Sequence, residues 1–312
     1  MEIEKLIELY GDWRTVRGFS PLTIFSTKQH LLIFLKYLEE PHVTHVEFIT
    51  SGLLQDFQEY LFYKTSAAGR LWAPNYRNLI LVGLRGFLKW VKNQDYLAQD
   101  LSEHVVGVRY RKKLPKNVMT LEEVQNILKS PDTTTRFGFR DRLMLELFYG
   151  TGIRMQELSH IWVEDADLQQ QQLYIRMGKG GKDRLVPLNP GLCNLIKEYL
   201  AFVRSKFLHG HDDSRYLIVG RSGGPLRHTR IDKIIRAHAQ NAGLTRHISA
   251  HSFRHACATH MMQNGAPIRH IQELLGHADI NTTQVYTHIT ISDLKKAHAK
   301  YHPRERMKIK EL

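Results

Sequence analysis

Six residues in the second half of the chain have the side-chain types needed to break a phosphodiester bond. They are Arg154, Lys179, His251, Arg254, His277 and Tyr286. A guanidinium stays charged at any working pH, so two arginines can stabilise the charge that develops on phosphate oxygens in a transition state. A tyrosine hydroxyl, with a pKa of about 10, attacks phosphorus only where a proton acceptor or a positive field helps to ionise it. The set therefore predicts nucleophilic and electrostatic catalysis on a phosphate.

Other chemistries have less support in the sequence. The stretch from Gly178 to Lys182 has neither the glycine spacing nor the Lys-Ser/Thr ending of a nucleotide-binding P-loop. His251 and His255 have the i,i+4 spacing of the zinc ligands in one class of proteases, but Ser252 stands where that class has its glutamate. We therefore expect no metal ion and no cofactor in the site.

The charge of the chain indicates a polyanionic partner. The 312 residues include 44 Lys and Arg against 31 Asp and Glu, a formal net charge of +13, and nucleic acid is the usual partner of so basic a soluble protein. A basic enzyme without such a partner is the alternative. The 2 cysteines exclude a disulfide framework, and no apolar run approaches the ~20 residues that cross a bilayer. We expect a cytoplasmic protein without a membrane partner.

The uneven distribution of this charge predicts two domains. Residues 1–108 carry 11 basic and 12 acidic side chains, whereas residues 109–312 carry 33 and 19. Residues 109–117 combine five positive charges with a proline and lack hydrophobic periodicity, which is typical of an exposed basic linker. The predicted domains are therefore 1–108 and 118–300, followed by a C-terminal tail at 301–312.

Helix-start signals predict an all-α first domain. Helices are expected to begin at Pro21, at Thr50-Ser51 and at Pro74, where each start has a capping side chain or a proline in the first turn. The third helix has a basic face that suits a DNA groove, although a solvated face would have the same composition. The predicted DNA-contact residues of this helix, the linker and a later hairpin are Arg77, Arg85, Lys89, Arg109, Arg111, Lys112, Lys113, Lys182 and Arg184.

The second domain is predicted to combine helices with a small sheet. A capping box at Thr120 begins one helix, and an apolar helix is expected over 140–148. Strand signals over 173–177 and 184–188 flank a basic, glycine-rich tip, which predicts a β-hairpin that contains Lys179. A further strand is expected over 216–219, and helices are expected after about residue 228.

Taken in order, these segments resemble the tyrosine site-specific recombinases, the phage-integrase and Xer-type family. Arg154 stands in a Gly-Thr-Gly-Ile-Arg-x-x-Glu-Leu segment like the first arginine box of the family, and Lys179 lies in a hairpin like its lysine turn. The other four residues match its His-x-x-Arg box, its Leu-Gly-His box and its nucleophile position: His251 with Arg254, His277 and Tyr286. One such match is weak, but six in the family's order are a specific signal.

The resemblance implies an all-α N-terminal core-binding domain of SAM-like fold and a mixed α+β, mainly helical catalytic domain. It implies that Tyr286 forms a 3′-phosphotyrosyl bond and that Lys179 protonates the departing 5′ oxygen. His251 would act in proton transfer, and His277 would bind the phosphate. Four protomers on two specific duplex DNA sites would pass through a Holliday junction without ATP or metal. A bacterial or archaeal, nucleoid-associated enzyme is implied.

Several alternatives stay open at the level of sequence. A type IB topoisomerase would use similar chemistry without a partner strand, and a catalytically inactive DNA-binding protein would share the fold. Among recombinases, the sequence fits both an integrase of a mobile element and a chromosome-dimer resolvase. The basic tail is either a solvated terminus or a segment that docks on a neighbouring protomer.

Overall fold

The computed structural model describes residues 1–108, 118–176, 183–208, 214–276 and 291–305. The chain divides into two compact units, Met1–Leu114 and Pro115–Leu312. This boundary falls inside the predicted linker 109–117, which lies outside the described residues. Among the helices that are described, none is long and apolar enough to span a membrane.

Helices make up the first unit. They are α1 (Ile3–Val16), α2 (Pro21–Leu38), α3 (Ser51–Tyr63) and α4 (Pro74–Asn93), with 3-10 turns at Val46–Phe48 and Leu101–His104. The predicted starts of α2, α3 and α4 are confirmed, and the side chains of Ser20 and Thr50 cap the first two of them. Helix α1 was not predicted. The core of the unit includes Leu6, Phe34 and Phe87, each with 0% exposure.

The second unit is mainly helical and carries the sheet. Its strands are β1 (Ala166–Asp167), β2 (Gln172–Ile175) and β3 (Arg184–Pro187). Its α-helices are α5 (Leu121–Lys129), α6 (Arg136–Thr151), α7 (Met155–His160), α8 (Pro190–Glu198), α9 (Ser205–Leu208), α10 (His228–Asn241), α11 (Ala250–Gln263), α12 (Ile268–Leu275) and α13 (Ile291–Tyr301). A short π-helix (Tyr199–Val203) and 3-10 turns at Val163–Asp165 and Pro303–Glu305 complete the described elements. Thr120 caps α5 with the predicted capping box. Helix α6 lies at the centre, where it packs against α5, α8 and α11.

The sheet is antiparallel, with strand order β1-β2-β3. Leu173 pairs with Val186 and Ile175 with Arg184, so the predicted hairpin strands are confirmed, while the tip at 177–182 lies outside the described residues. The prediction of a strand over 216–219 is wrong. Tyr216 bridges to Trp162 whereas Val219 bridges to Pro225, and because the two ends have different partners no regular ladder forms.

The first residues of the predicted tail pack on their own unit. Tyr301 contacts the core, His302 is 1% exposed and Arg304 is 6% exposed. Docking on a neighbouring protomer therefore stays a prediction for residues 306–312, which lie outside the described residues. The same unit contains both cysteines, Cys193 in α8 and Cys257 in α11, as buried free thiols.

Candidate active site

A left-handed turn at the end of α6 presents Arg154. Gly152 has a φ of +64°, a conformation that favours glycine, and a Cβ at this position would lie 2.7 Å from Leu275 Cδ2. Both the turn and the close packing therefore require glycine. Arg154 follows as the N-cap residue of α7, with 26% of its side chain exposed. The turn thus fixes the backbone of Arg154 at the protein surface, from which its guanidinium group extends.

Backbone carbonyls at the ends of two helices hold both predicted arginines. Arg154 Nη2 donates to Gly276 O at 3.0 Å. Arg254 in α11 donates Nη1 to Gly152 O at 2.7 Å and Nη2 to Leu275 O at 2.5 Å. Because these carbonyls end α6 and α12, the negative poles of two helix dipoles face the guanidinium groups. Two side chains that are 100 positions apart in the sequence are thereby fixed in one place.

The electrostatics of Arg254 favour an anion. Burial and, to a smaller extent, the positive charge of Arg154 together lower the pKa of Arg254 to about 10. The guanidinium still carries its proton at neutral pH, but it has lost hydration and faces a like charge. A phosphate placed against both arginines relieves both penalties.

Glu157 joins Arg154 to Arg184. Arg154 Nη1 donates to Glu157 Oε1 at 2.8 Å, and Arg184 donates Nη1 and Nη2 to the two carboxylate oxygens, each at 2.8 Å. Burial raises the pKa of Glu157, but the hydrogen bonds and charges of the two arginines outweigh burial and hold this pKa at about 2. Arg184 also donates Nε to Leu274 O at 3.2 Å. The carboxylate therefore orients Arg154, and Arg184 ties β3 to α12; its direct contact with DNA stays a prediction.

The low pKa of Glu157 predicts that the free energy of unfolding decreases at acidic pH. A carboxyl group with a pKa of about 2 when folded and ~4.3 when unfolded stabilises the fold by ~3 kcal/mol above pH ~5, and this contribution disappears as pH falls toward 2. We expect urea unfolding to show a large stability gap between wild type and Glu157→Gln near neutral pH, and a shrinking gap below pH ~5. A gap that stays constant over this range would contradict the prediction.

His251 lies in the first turn of α11 and stays accessible to solvent. Partial burial lowers the pKa of His251, and the charges of Arg254 and Arg154 lower it further. The positive pole at the start of the helix also disfavours the imidazolium. The ring is therefore neutral at neutral pH and can accept a proton, as the prediction of proton transfer requires.

Three members of the predicted catalytic set lie outside the described residues: Lys179, His277 and Tyr286. The flanks of two of them are described. The segment with Lys179 connects the paired strands β2 and β3, and Gly276, with a φ of +62°, ends α12 directly before His277. A Cβ on Gly276 would lie 3.0 Å from Arg184 Cδ. The structure thus brings together Arg154, His251 and Arg254, and the roles of the set stay predictions.

The predicted DNA-contact residues of α4 have different surroundings. Arg77 is 8% exposed, and its guanidinium carbon lies 5.0 Å from the centre of the Phe62 ring. Arg85 donates Nε to Val105 O at 3.0 Å, whereas Lys89 is exposed. Direct contact with DNA stays a prediction for all three. The remaining candidates lie outside the described residues: Arg109, Arg111, Lys112, Lys113 and Lys182.

A salt bridge between Arg154 and Glu157 was predicted only as an alternative to a catalytic role for Arg154, and the carbonyls that hold the arginines were not predicted. Glu157 stands three positions after Arg154, a spacing that brings side chains together at a helix start, and this was the available signal. The backbone carbonyls of Gly152, Leu275 and Gly276 could not be predicted from the sequence, because every residue has a backbone carbonyl.

Comparisons with known proteins identify the family of the chain. The profile of the phage integrase family matches residues 117–292. Tyrosine recombinase XerD of Staphylococcus aureus (strain Mu50) is 33% identical over 304 residues, 97% of this chain and 100% of that protein. The crystal structure of the XerH site-specific recombinase bound to difH substrate, a pre-cleavage complex, is 26% identical with a TM-score of 0.65, over 93% of this chain and 82% of that chain. A lambda integrase tetramer bound to a Holliday junction, 17% identical over 93% of this chain and 81% of that chain, shares the fold with a TM-score of 0.65.

The matched region contains both arginines and the carbonyls that hold them. It begins in the predicted linker and ends at the start of α13, and the XerD match extends over the first unit as well. The chain therefore belongs to the phage integrase family and is a site-specific tyrosine recombinase.

Proposed function

We propose that this recombinase cleaves DNA with Tyr286 as the nucleophile and with Arg154 and Arg254 as the clamp on the scissile phosphate. The observation that supports the clamp best is the attachment of both guanidinium groups to carbonyls at the ends of α6 and α12. Donors that are already oriented need little reorganisation when charge develops on the phosphate oxygens, so they stabilise the transition state more than the ground state.

In the proposed reaction, the phenol oxygen of Tyr286 attacks phosphorus while its proton passes to His251. The bond from phosphorus to the 5′ oxygen breaks, and that oxygen takes a proton from Lys179. His277 donates a hydrogen bond to the phosphate, which is now a 3′-phosphotyrosyl ester. The 5′-hydroxyl of a partner strand then attacks the same phosphorus and releases the tyrosine. Each step exchanges one phosphate ester for another, so no ATP is consumed.

The proposed assembly is four protomers on two specific duplex sites, with a Holliday junction between the two strand exchanges. The XerH relative was solved on its difH substrate, and the net charge of +13 suits a DNA partner. A closed ring of four requires a head-to-tail contact, for which residues 306–312 are the proposed segment.

The test begins with the DNA site. Selection of bound duplexes from a random pool yields the preferred sequence, and a version of that duplex nicked beside the scissile phosphate traps the cleaved strand on the protein. We expect a covalent adduct whose peptide map locates the DNA on Tyr286, and recombinant products when two intact sites are supplied. Adducts and DNA relaxation without recombinant products would favour a topoisomerase, and binding without adducts would favour an inactive DNA-binding protein.

Cleavage should also persist in excess EDTA. The proposed clamp consists of arginines, and among the described residues no group of three or more His, Cys, Asp or Glu side chains could hold a metal ion. We expect the rate of adduct formation to be unchanged by chelator, while DNA binding weakens steeply with added salt through counterion release. Loss of adducts in EDTA with recovery in zinc or magnesium would overturn this view and make His251 and His255 the first ligands to test.

A further inference from the structure

Two buried histidines fasten α13 to the end of α6. His298 Nε2 lies 2.7 Å from Gly150 O, and His302 Nε2 lies 3.1 Å from Tyr149 O. A carbonyl oxygen only accepts, so each ring nitrogen donates. Both residues are 1% exposed, and their rings stack with centres 4.5 Å apart and an angle of 9° between planes. The contact is thus a specific polar one inside the core.

Both rings have hydrogen-bond partners at their second nitrogen. His302 Nδ1 accepts from Arg304 N–H at 3.1 Å, so this ring is neutral, and burial lowers the pKa of His302 well below its usual value. His298 Nδ1 lies 2.7 Å from Glu305 Oε1, so both nitrogens of His298 face acceptors. An apolar replacement of either ring would leave a buried acceptor without a donor, a loss that proteins rarely tolerate.

The residues after α13 contact the same helix. Arg304 Nε donates to Glu146 Oε2 at 2.7 Å, and the Glu146 side chain is 1% exposed. Glu146 stands on α6, one turn before the carbonyls that accept from the histidines. Three side chains therefore bind one helix: His298 from α13, and His302 and Arg304 from the residues that follow it.

This attachment is close in sequence to a carbonyl of the proposed clamp on one side and to the proposed nucleophile on the other. Gly150 comes two residues before Gly152, whose carbonyl accepts from Arg254. On the other side, Tyr286 precedes the start of α13 by five residues, a length that spans at most ~18 Å when fully extended. Fixing α13 on α6 therefore limits where Tyr286 can lie relative to Arg254.

We propose that His298 and His302 are positioning residues for DNA cleavage, which set the distance between Tyr286 and the arginine clamp by fastening α13 to α6. The inference rests on the proposed function, because it takes Tyr286 as the nucleophile. Both histidines are buried, so their loss should leave DNA affinity unchanged. It should slow the attack, since a displacement of ~1 Å at a reacting atom can reduce a rate ~100-fold.

Two conservative variants of His298 test the proposal. The amide nitrogen of glutamine reaches the place of Nε2, whereas that of asparagine reaches only the place of Nδ1. His298→Gln therefore keeps the bond to Gly150 O, and His298→Asn loses it. With the selected, nicked duplex at saturating concentration, we expect His298→Gln to form adducts within about threefold of the wild-type rate and His298→Asn to be slower by roughly 10- to 100-fold. The dissociation constant for DNA should be the same for both.

His238→Asn is the matched control, because His238 is also largely buried and binds Ser130 and Asp141, far in sequence from the nucleophile. Its thermal unfolding shows what the loss of such bonds does to stability alone, and its cleavage rate should match wild type. Equal rates for His298→Gln and His298→Asn, or an equal slowing in His238→Asn, would overturn the inference. If wild type itself forms no adduct, the proposed function fails instead.

Discussion

Replacing Tyr286 with phenylalanine is expected to abolish the covalent protein–DNA adduct while DNA affinity stays close to wild type. The substitution removes one oxygen, the atom that would bond to phosphorus, and leaves the ring and the charge of the protein intact. The measurement compares adduct formation on the nicked duplex, by denaturing electrophoresis, with the dissociation constant of the uncleaved duplex. We expect no detectable adduct. Removal of any other single side-chain oxygen in the chain should have a smaller effect on adduct formation.

Tyr301→Phe provides the control for this variant. Tyr301 ends α13 and packs against the core of the second unit, and its carbonyl accepts from Asn264 Nδ2 at 2.8 Å. Its hydroxyl has no role in the proposed reaction, so adduct formation should be unaffected. If Tyr286→Phe still forms an adduct, the nucleophile is a different residue, and Tyr301 is the next tyrosine to test.

Arg254→Lys is expected to reduce the cleavage rate by roughly 100- to 1,000-fold, the range seen when one oriented donor is removed from a transition state. Lysine keeps the positive charge, but its ammonium has no planar fork and cannot bind Gly152 O and Leu275 O in the geometry of the guanidinium. The carbonyls at the ends of α6 and α12 would then lose their shared partner. The single-turnover rate of adduct formation at saturating DNA measures the effect.

Arg246→Lys separates this effect from the general loss of an arginine. Arg246 Nη1 and Nη2 donate to the two carboxylate oxygens of Glu123, and the Arg246 side chain is 33% exposed. Lysine loses this fork as well, but it keeps the charge of the pair and water can replace the lost bond. We expect the control to cleave at close to the wild-type rate. A rate for Arg254→Lys within about threefold of wild type would remove Arg254 from the clamp.

Local signals in the sequence predicted the helix starts well. Ser20, Thr50 and Thr120 each accept a backbone N–H of the first helical turn, as capping residues do. The apolar stripe of α2 was less informative. Leu22 and Phe25 have helical spacing, yet they are 65% and 61% exposed, because α2 packs through the stripe that begins at Thr27. A periodic pattern of apolar residues predicts that a helix has an apolar face. Where two faces carry apolar residues, the pattern does not show which of them is buried.

The order of reactive side chains was visible in the sequence, but their orientation was not. Arg154 and Gly276 are 122 positions apart, and His298 and Gly150 are 148 apart. Backbone carbonyls are present at every position, so only the fold decides which of them accepts from which side chain. The same reason explains the false strand at 216–219, where the residue types suit a ladder but the neighbouring segments do not supply one.

The burial of both thiols has a practical consequence for labelling. Burial raises the pKa of Cys193 to about 11 and that of Cys257 to about 12, so both sulfurs stay protonated at neutral pH and lie out of reach of maleimide reagents. A cysteine introduced on the surface of each unit would then be the reactive one. The two natural cysteines therefore need not be replaced, and fluorescent pairs on introduced cysteines can follow the two units on DNA.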